Sequence, residues 1–227
     1  MTRFVLCLIA TTVAQAGWEA RLGGVSDYVS RGVSQTGGRP ALQAEASGWT
    51  RGGFYLSGWA SQVEYEGAAT RWELSGGGGW AGEAGPWQVD LGLQRITYPG
   101  ERDFDYPEAA LVLTGGPLTL EGVWSPDMAA SGAAGGYLAI SGEHAGGPLL
   151  LRTGLGWSWF GREAADVLYG PGSHLGFTTW NLGLSGRLAG LDLAVDWHGT
   201  DGHGRTLNPG LAGNRLVVSI STGLGAD

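Results

Sequence analysis

The chain has 227 residues, of which 44 are glycine and 11 are tryptophan, and only 15% are charged. Its 13 basic residues are all arginine and face 21 acidic residues, so the formal net charge is −8. This balance argues against nucleic acid as a partner, because arginine and lysine must neutralise phosphates. Glycine at this density disfavours helices, and the length suits one all-β domain.

The first element is an apolar leader. Arg3 precedes an apolar run that ends near Val13, and residues 14–16 (AQA) have the small-x-small form of a cleavage site. Such a run is too short to span a bilayer as a helix and is typical of a secretory signal. We therefore predict a signal peptide over 1–16 and a single domain over 17–227. The only cysteine lies in the leader, so no disulfide framework is expected.

Segments of alternating apolar and polar residues follow the leader. In WQVDLGLQ, Trp87, Val89 and Leu91 share one face, while Gln88 and Asp90 share the other. This period of two residues is typical of strands. The predicted strands lie near 19–33, 40–50, 54–65, 71–80, 87–97, 106–114, 118–126, 137–145, 149–160, 176–187, 191–199 and 214–223. No later apolar run approaches the roughly 20 residues of a membrane helix.

The connections between these segments distinguish a membrane barrel from a soluble sandwich. Short turns such as GGP alternate with longer loops over most of the chain. Outer-membrane barrels have short periplasmic turns, longer extracellular loops, a lipid-facing apolar side and aromatic residues near both interfaces. Most tryptophans lie near predicted strand ends. A secreted soluble barrel or sandwich would alternate as well, but the turn pattern favours an all-β, transmembrane, antiparallel up-and-down β-barrel of about 12 strands.

Residues 24–43 and 52–65 carry a more specific signal. GVSDYVSRGVSQTGGRPALQ, followed by GGFYLSGWASQVEY, resembles the start of the TorF family of porins. The motif residues are Ser26, Asp27, Tyr28, Arg31, Gly32, Ser34 and Gln35. The resemblance implies a Gram-negative outer-membrane barrel with a transport role, embedded in outer-membrane lipids and inserted by the outer-membrane assembly machinery.

The end of the chain departs from the pattern of such barrels. The last residues are RLVVSISTGLGAD, without the terminal aromatic residue that outer-membrane barrels usually have. We expect the final strand to stop near Thr222, with a short tail beyond it.

Strand parity selects the charged residues that would face the lumen. The pore-lining candidates are Asp27, Arg31, Glu45, Glu64, Arg71, Glu73, Asp90, Glu108, Glu121, Arg152, Asp192, Asp196 and Arg215. Asp27 and Arg31 are too far apart to pair along an extended strand, roughly 13 Å between α-carbons. Each would instead contact another strand, with Arg215, Asp90 and Glu45 as candidate partners. Acids outnumber bases in this set, and charge of one sign biases ion passage.

We therefore predict a narrow pore for passive diffusion of small hydrophilic solutes or ions, with a weak cation preference. The alternative is a closed barrel, its inner charges paired with each other, with a binding, adhesion or structural role for its extracellular loops. No nucleophile elbow supports an enzyme, and no cofactor is expected. His198 and His203, on a glycine-rich loop, are a weak metal signal, so no metal is predicted. The oligomeric state stays open.

Overall fold

A computed structural model describes residues 16–226. Twelve strands form one closed antiparallel barrel in which the first strand pairs with the last. The predicted fold class is confirmed. The barrel strands are β1 (Gly17–Val25), β4 (Ala41–Trp49), β5 (Phe54–Gln62), β6 (Trp72–Ala84), β7 (Trp87–Thr97), β8 (Tyr106–Gly115), β9 (Leu118–Ser125), β10 (Gly135–Gly146), β11 (Leu149–Phe160), β12 (Gly176–Leu188), β13 (Leu191–Thr200) and β14 (Arg215–Ala226). The predicted signal peptide lies outside the described residues, apart from Ala16.

The two ends of the barrel differ in their connections. At one end, called the turn end, short turns join the strands at 50–53, 85–86, 116–117, 147–148 and 189–190. At the other, called the loop end, the connections are longer. These loops are L1 (26–40), L2 (63–71), L3 (98–105), L4 (126–134), L5 (161–175) and L6 (201–214). The predicted alternation of short turns and long loops is therefore present throughout the barrel.

The loops contain short elements of their own. L1 holds a two-stranded hairpin of β2 (Val29–Ser30) and β3 (Val33–Ser34). L5 holds helix α1 (Arg162–Tyr169) and L6 holds helix α2 (Gly202–Leu207). L3 and L4 carry single 3₁₀ turns, Arg102–Phe104 and Met128–Ala130. None of the helices in residues 16–226 is long and apolar enough to cross a membrane.

Four predicted strand ends are wrong by three residues or more. The strands predicted at 19–33, 54–65, 71–80 and 214–223 end at Val25, Gln62, Ala84 and Ala226. The first strand ends at Val25 instead of continuing to residue 33, because the chain turns into the barrel there. The last strand does not stop near Thr222. It continues to Ala226, because its backbone stays paired with β1 as far as Trp18.

The outer face of the barrel is apolar. Large hydrophobic side chains at alternate positions are strongly exposed, including Leu56 (74%), Leu93 (69%) and Leu216 (67%). Exposed apolar surface on this scale marks a contact with lipid or protein. The intervening positions point inward and carry polar, charged and small residues, as in a membrane barrel.

Glycine lets neighbouring strands approach closely in β6. A Cβ atom at Gly79 would collide with the Leu91 carbonyl oxygen and the Tyr55 hydroxyl group, whereas a Cβ atom at Gly76 would have nothing within 4 Å. Tyr55 crosses over Gly79, and its hydroxyl donates to Asp90 at 2.7 Å. The positions of this glycine run therefore differ: some have no room for a side chain, whereas others do.

This difference predicts opposite results for two matched substitutions in β6. Gly79→Ala should lower stability by about 1–3 kcal/mol, because backbone cannot move aside as a flexible side chain can. Gly76→Ala should change it little. Urea unfolding of the barrel in detergent, followed by tryptophan fluorescence, measures both. Equal effects at the two positions would contradict the close approach.

Candidate functional site

L1 folds into the barrel instead of projecting from it. Asp27, Tyr28, Val29, Ser30 and Ser34 are all buried, with at most 6% of their surface exposed. Loops ordinarily run over a protein surface, because their backbone groups need water or other partners. Here the partners are the barrel wall and the other loops, so L1 is an internal structure of the lumen.

Two ion pairs anchor L1 to opposite walls. Arg215 of β14 donates to Asp27 at 2.9 Å, and Arg31 donates to Glu108 of β8 at 2.8 and 3.2 Å. β14 and β8 are six strands apart in either direction around the twelve-stranded ring. L1 therefore crosses the full width of the lumen.

The tip of L1 is a tight hairpin turn. Arg31 and Gly32 both have positive φ angles, 47° and 76°, which match the two central residues of a type I′ turn. The left-handed region costs a non-glycine residue roughly 1–2 kcal/mol. A Cβ atom at Gly32 would lie 2.6 Å from methyl groups of Thr179 and Thr200. Contacts with the wall therefore hold Arg31 in an unfavourable backbone conformation.

The flanks of L1 bind the remaining wall. Tyr28 packs on Trp59 of β5 and its hydroxyl lies 3.4 Å from Glu73 of β6, to which Tyr98 also donates. Ser34 donates to Asp27 at 2.5 Å, and this hydrogen bond closes the hairpin. In addition, Gln35 accepts a hydrogen bond from Tyr65 of L2. L1, residues 26–40, is called the plug from here on. All seven motif residues lie in it, and its contacts give them a shared structural role.

The other loops cover the plug with a small apolar core. Met128, Phe160, Ala164, Ala165 and Phe177 form a buried cluster. Val33 of L1, Ala133 of L4, Leu168 and Tyr169 of α1, and Leu207 of α2 pack against it. L1, L4, L5 and L6 are thus joined into one cap.

The cap is fixed by polar contacts at the base of α2. Asp201 accepts from the backbone N–H groups of Gly204 at 2.8 Å and Thr178 at 3.0 Å. Desolvation opposes the charged form of Asp201, but these hydrogen bonds hold its pKa below the usual range. Burial raises the pKa of Tyr169 to about 12, against a smaller opposing contribution from Asn208. Near neutral pH the cap therefore contains an ionised Asp201 and a neutral Tyr169.

The lumen is packed at the loop end and accessible at the turn end. Inward residues near the loops are buried, among them Ser61, Glu73 and Ile96, each with at most 1% exposed. Nearer the turns they are partly or fully exposed. The charged residues of this second region, called the vestibule, are Glu19, Arg21, Glu45, Glu83, Asp90, Glu143, Arg152, Arg187 and Asp192. The inner space therefore resembles a cup that opens at the turn end.

Acidic groups predominate in the vestibule. Arg21 lies 3.5 Å from Glu45 and 2.8 Å from Asp192, and Arg187 lies 3.8 Å from Asp192. Six acids thus face three bases, so the vestibule carries net negative charge.

Not every predicted pore-lining residue lies on the barrel wall. Glu45, Glu73, Asp90, Glu108, Glu121, Arg152, Asp192, Asp196 and Arg215 lie at inward positions of strands. Asp27 and Arg31 lie in the lumen on L1, not on a strand. Glu64 and Arg71 lie in L2 at the rim, where the Arg71 side chain is 63% exposed, because β5 ends before Glu64 and β6 begins after Arg71.

Inward residues missing from the predicted pore-lining set include Arg21 and Tyr137. Arg21 follows the same alternation as Glu19, with Trp18 and Leu22 outward, so parity within the predicted first strand was enough to identify it. Tyr137 has no comparable signal, because its role depends on Arg31, whose Cζ atom lies 5.2 Å from the ring centroid.

The predicted histidine pair is divided between two places. His198 is buried on the inner face of β13, whereas His203 lies in α2 and stacks on His174 of L5, with 3.7 Å between ring centroids. Across the described part of the chain, no three or more His, Cys, Asp or Glu residues are grouped so that they could hold a metal ion.

Comparison with protein-family models assigns the chain to a family. A family model described as "Bacterial protein of unknown function (Gcw_chp)" matches residues 12–219. The chain belongs to the Gcw_chp family. This match spans the whole barrel up to β14, so the plug and the vestibule both lie within the family region. No curated protein sequence matches the chain.

Solved structures share the fold of this Gcw_chp protein. The KdgM porin aligns with 91% of this chain and 98% of its own, with a TM-score of 0.56 and 9% identity. A NanC porin aligns with 90% of this chain and 98% of its own, with a TM-score of 0.54 and 10% identity. At such identities the likeness shows a porin-like barrel fold.

The ion pair at the base of the plug predicts energetic coupling. Asp27→Asn, Arg215→Gln and the double variant should give a coupling energy of about 1–3 kcal/mol, because the two side chains are in contact and largely buried. Urea unfolding in detergent measures it. Arg39 and Glu64 are the matched control, since Arg39 is 66% exposed and exposed pairs couple by less than about 1 kcal/mol. Equal coupling in both pairs would contradict this role of Asp27.

Proposed function

We propose that this Gcw_chp protein is an outer-membrane channel through which small hydrophilic solutes and ions diffuse passively, with a weak preference for cations. The observation that carries the proposal is the acidic vestibule, a polar cup that leads from the turn end to a polar plug. Charged rings of one sign bias the ions that enter a pore. The role is not enzymatic.

The proposal also includes a cellular location, the outer membrane, and a narrower family, the TorF porins. The predicted signal peptide over 1–16 would send the chain out of the cytoplasm, and the assembly machinery would insert the domain 17–227 into outer-membrane lipid. The turn end would then face the periplasm and the loop end the outside. The motif in L1 supports the narrower assignment to the TorF family of porins.

L1 must move for solutes to pass, because it crosses the lumen. Ion pairs and hydrogen bonds hold much of it, and water can replace such partners, although Tyr28 and Val33 also make apolar contacts. A closed barrel held by a continuous apolar core would offer no such exchange. Ser26 flanks the hairpin on one side and Gly37 and Gly38 flank it on the other, and the two glycines offer a hinge for this movement.

The packed loop end favours a second candidate function. In it the barrel stays closed and acts through its extracellular loops, in binding, adhesion or structure. Uptake of small sugars and amino acids by liposomes that contain the purified protein separates the two functions. Uptake supports the channel, and none above empty liposomes supports the closed barrel.

The cation preference predicts the sign of a reversal potential. In planar bilayers under a KCl gradient, the wild-type protein should pass K⁺ more readily than Cl⁻. Glu45→Gln with Asp192→Asn should move the permeability ratio towards one, because both acids lie in the vestibule. Glu163→Gln is the matched control, since Glu163 is exposed on α1. An anion-selective wild-type channel would overturn the preference.

A further inference from the structure

The wall around the Arg31 guanidinium has the parts of a cation-binding site. Glu108 of β8 receives it in a bidentate pair, and Gln94 of β7 donates to Glu108 at 3.0 Å. The ring of Tyr137 on β10 lies 5.2 Å from the guanidinium carbon. A carboxylate fork together with an aromatic face is the usual recognition of a planar organic cation.

A second carboxylate completes this site and is not needed by the Arg31–Glu108 pair. Glu121 of β9 has its Oε1 atom out of contact with solvent and without a hydrogen-bond partner among the described residues. Glu121 lies on the strand between those of Glu108 and Tyr137, which both contact the Arg31 guanidinium. It is two residues from Val123, the residue directly opposite Tyr137. A buried acceptor without a partner is unfavourable, so a structural ion pair alone does not account for Glu121.

The cation and its site come from different parts of the chain. Gln94, Glu108, Glu121 and Tyr137 lie on four consecutive strands of the rigid wall, whereas Arg31 is delivered by the tip of a loop. The type I′ turn puts the backbone of Arg31 in the left-handed region, which is costly for a non-glycine residue, while the wall receives its guanidinium. The wall site therefore acts on Arg31 as a binding site acts on a ligand.

The site borders the vestibule. Asp90, Val112 and Glu121 are directly opposite one another on β7, β8 and β9, and Asp90 is a vestibule residue. A cation that enters at the turn end therefore meets the Glu121 carboxylate before it meets Glu108.

We propose that Gln94, Glu108, Glu121 and Tyr137 form a binding site for organic cations that carry a guanidinium group, and that Arg31 occupies it as a tethered ligand. A solute of this class competes with Arg31 and thereby favours withdrawal of L1. The link to L1 movement rests on the proposed channel function, whereas the binding site itself does not.

The test is chemical rescue of an emptied site. Arg31→Asn removes the guanidinium, while asparagine tolerates the left-handed backbone. Guanidinium chloride at low millimolar concentration, compared with sodium chloride at equal ionic strength, is the probe. Thermal unfolding in detergent should shift upward in a saturable way, by about 3–6 °C at ten times the dissociation constant. The wild type should show no such shift, because Arg31 fills the site.

Matched variants define the site. Arg31→Asn combined with Glu121→Gln should lose the guanidinium shift, and so should Arg31→Asn combined with Glu108→Gln. Arg39→Asn, which removes an exposed arginine of the same loop, should show no guanidinium dependence. If Arg31→Asn does not refold alone, guanidinium should restore its refolding yield, measured by heat-modifiable migration. Neither a shift nor a restored yield, or a shift that persists without the Glu121 charge, would overturn the site.

Conductance separates this inference from the proposed function. If the wild type conducts but the Arg31→Asn barrel binds no guanidinium, the site is wrong and the channel stands. If that barrel binds guanidinium but no variant passes ions, the site stands and the channel is wrong. Where both hold, the permeability ratio of guanidinium to Na⁺ should be several-fold higher for Arg31→Asn than for the wild type. An unchanged permeability ratio would refute the competition.

Discussion

Pairing of β1 with β14 is the constraint on which the rest of the molecule depends. Hydrocarbon offers no partners to backbone N–H and C=O groups, so a sheet survives there only when it has no free edge. Closure divides every strand into an outer and an inner row, so Leu22 lies on the apolar outer face while Arg21 points into the lumen. Closure also encloses a space. The inner charged side chains fill it, form pairs across it or leave it to water.

L1 uses that enclosed space in a way that a surface loop could not. Asp27 and Arg31 reach opposite walls because the ring places β14 and β8 across from each other. Each ion pair forms in surroundings shielded from water, where losing one partner costs about 3–5 kcal/mol although the intact pair adds little net stability. The plug is therefore specific in position without being strongly stabilised. Such a balance is compatible with the movement of L1 that the proposed channel requires.

Strand periodicity was sufficient to predict the barrel, because closure makes the alternation regular over twelve strands. It failed where three-dimensional contacts override local pattern. Residues 26–33 alternate like a strand, yet Asp27 and Arg31 find partners only if the chain turns inward at Val25. Helix α1 is too short for its period to stand out in REAADVLY, and it forms because Ala164 and Ala165 are buried beneath the cap. Tyr137 could not be identified, since its contact is with a loop over 100 residues away.

The vestibule and the wall around the plug share an excess of acidic groups. The vestibule keeps more acids than bases, and its arginines are already paired. An incoming anion would therefore meet unbalanced negative charge. A cation would instead replace part of the water that hydrates the vestibule acids. At the far side of this region the same imbalance recurs, with Glu108 and Glu121 facing Arg31. If the proposed channel admits cations, Arg31 is a cation supplied by the chain's own loop, and it competes with such a solute for the inner site.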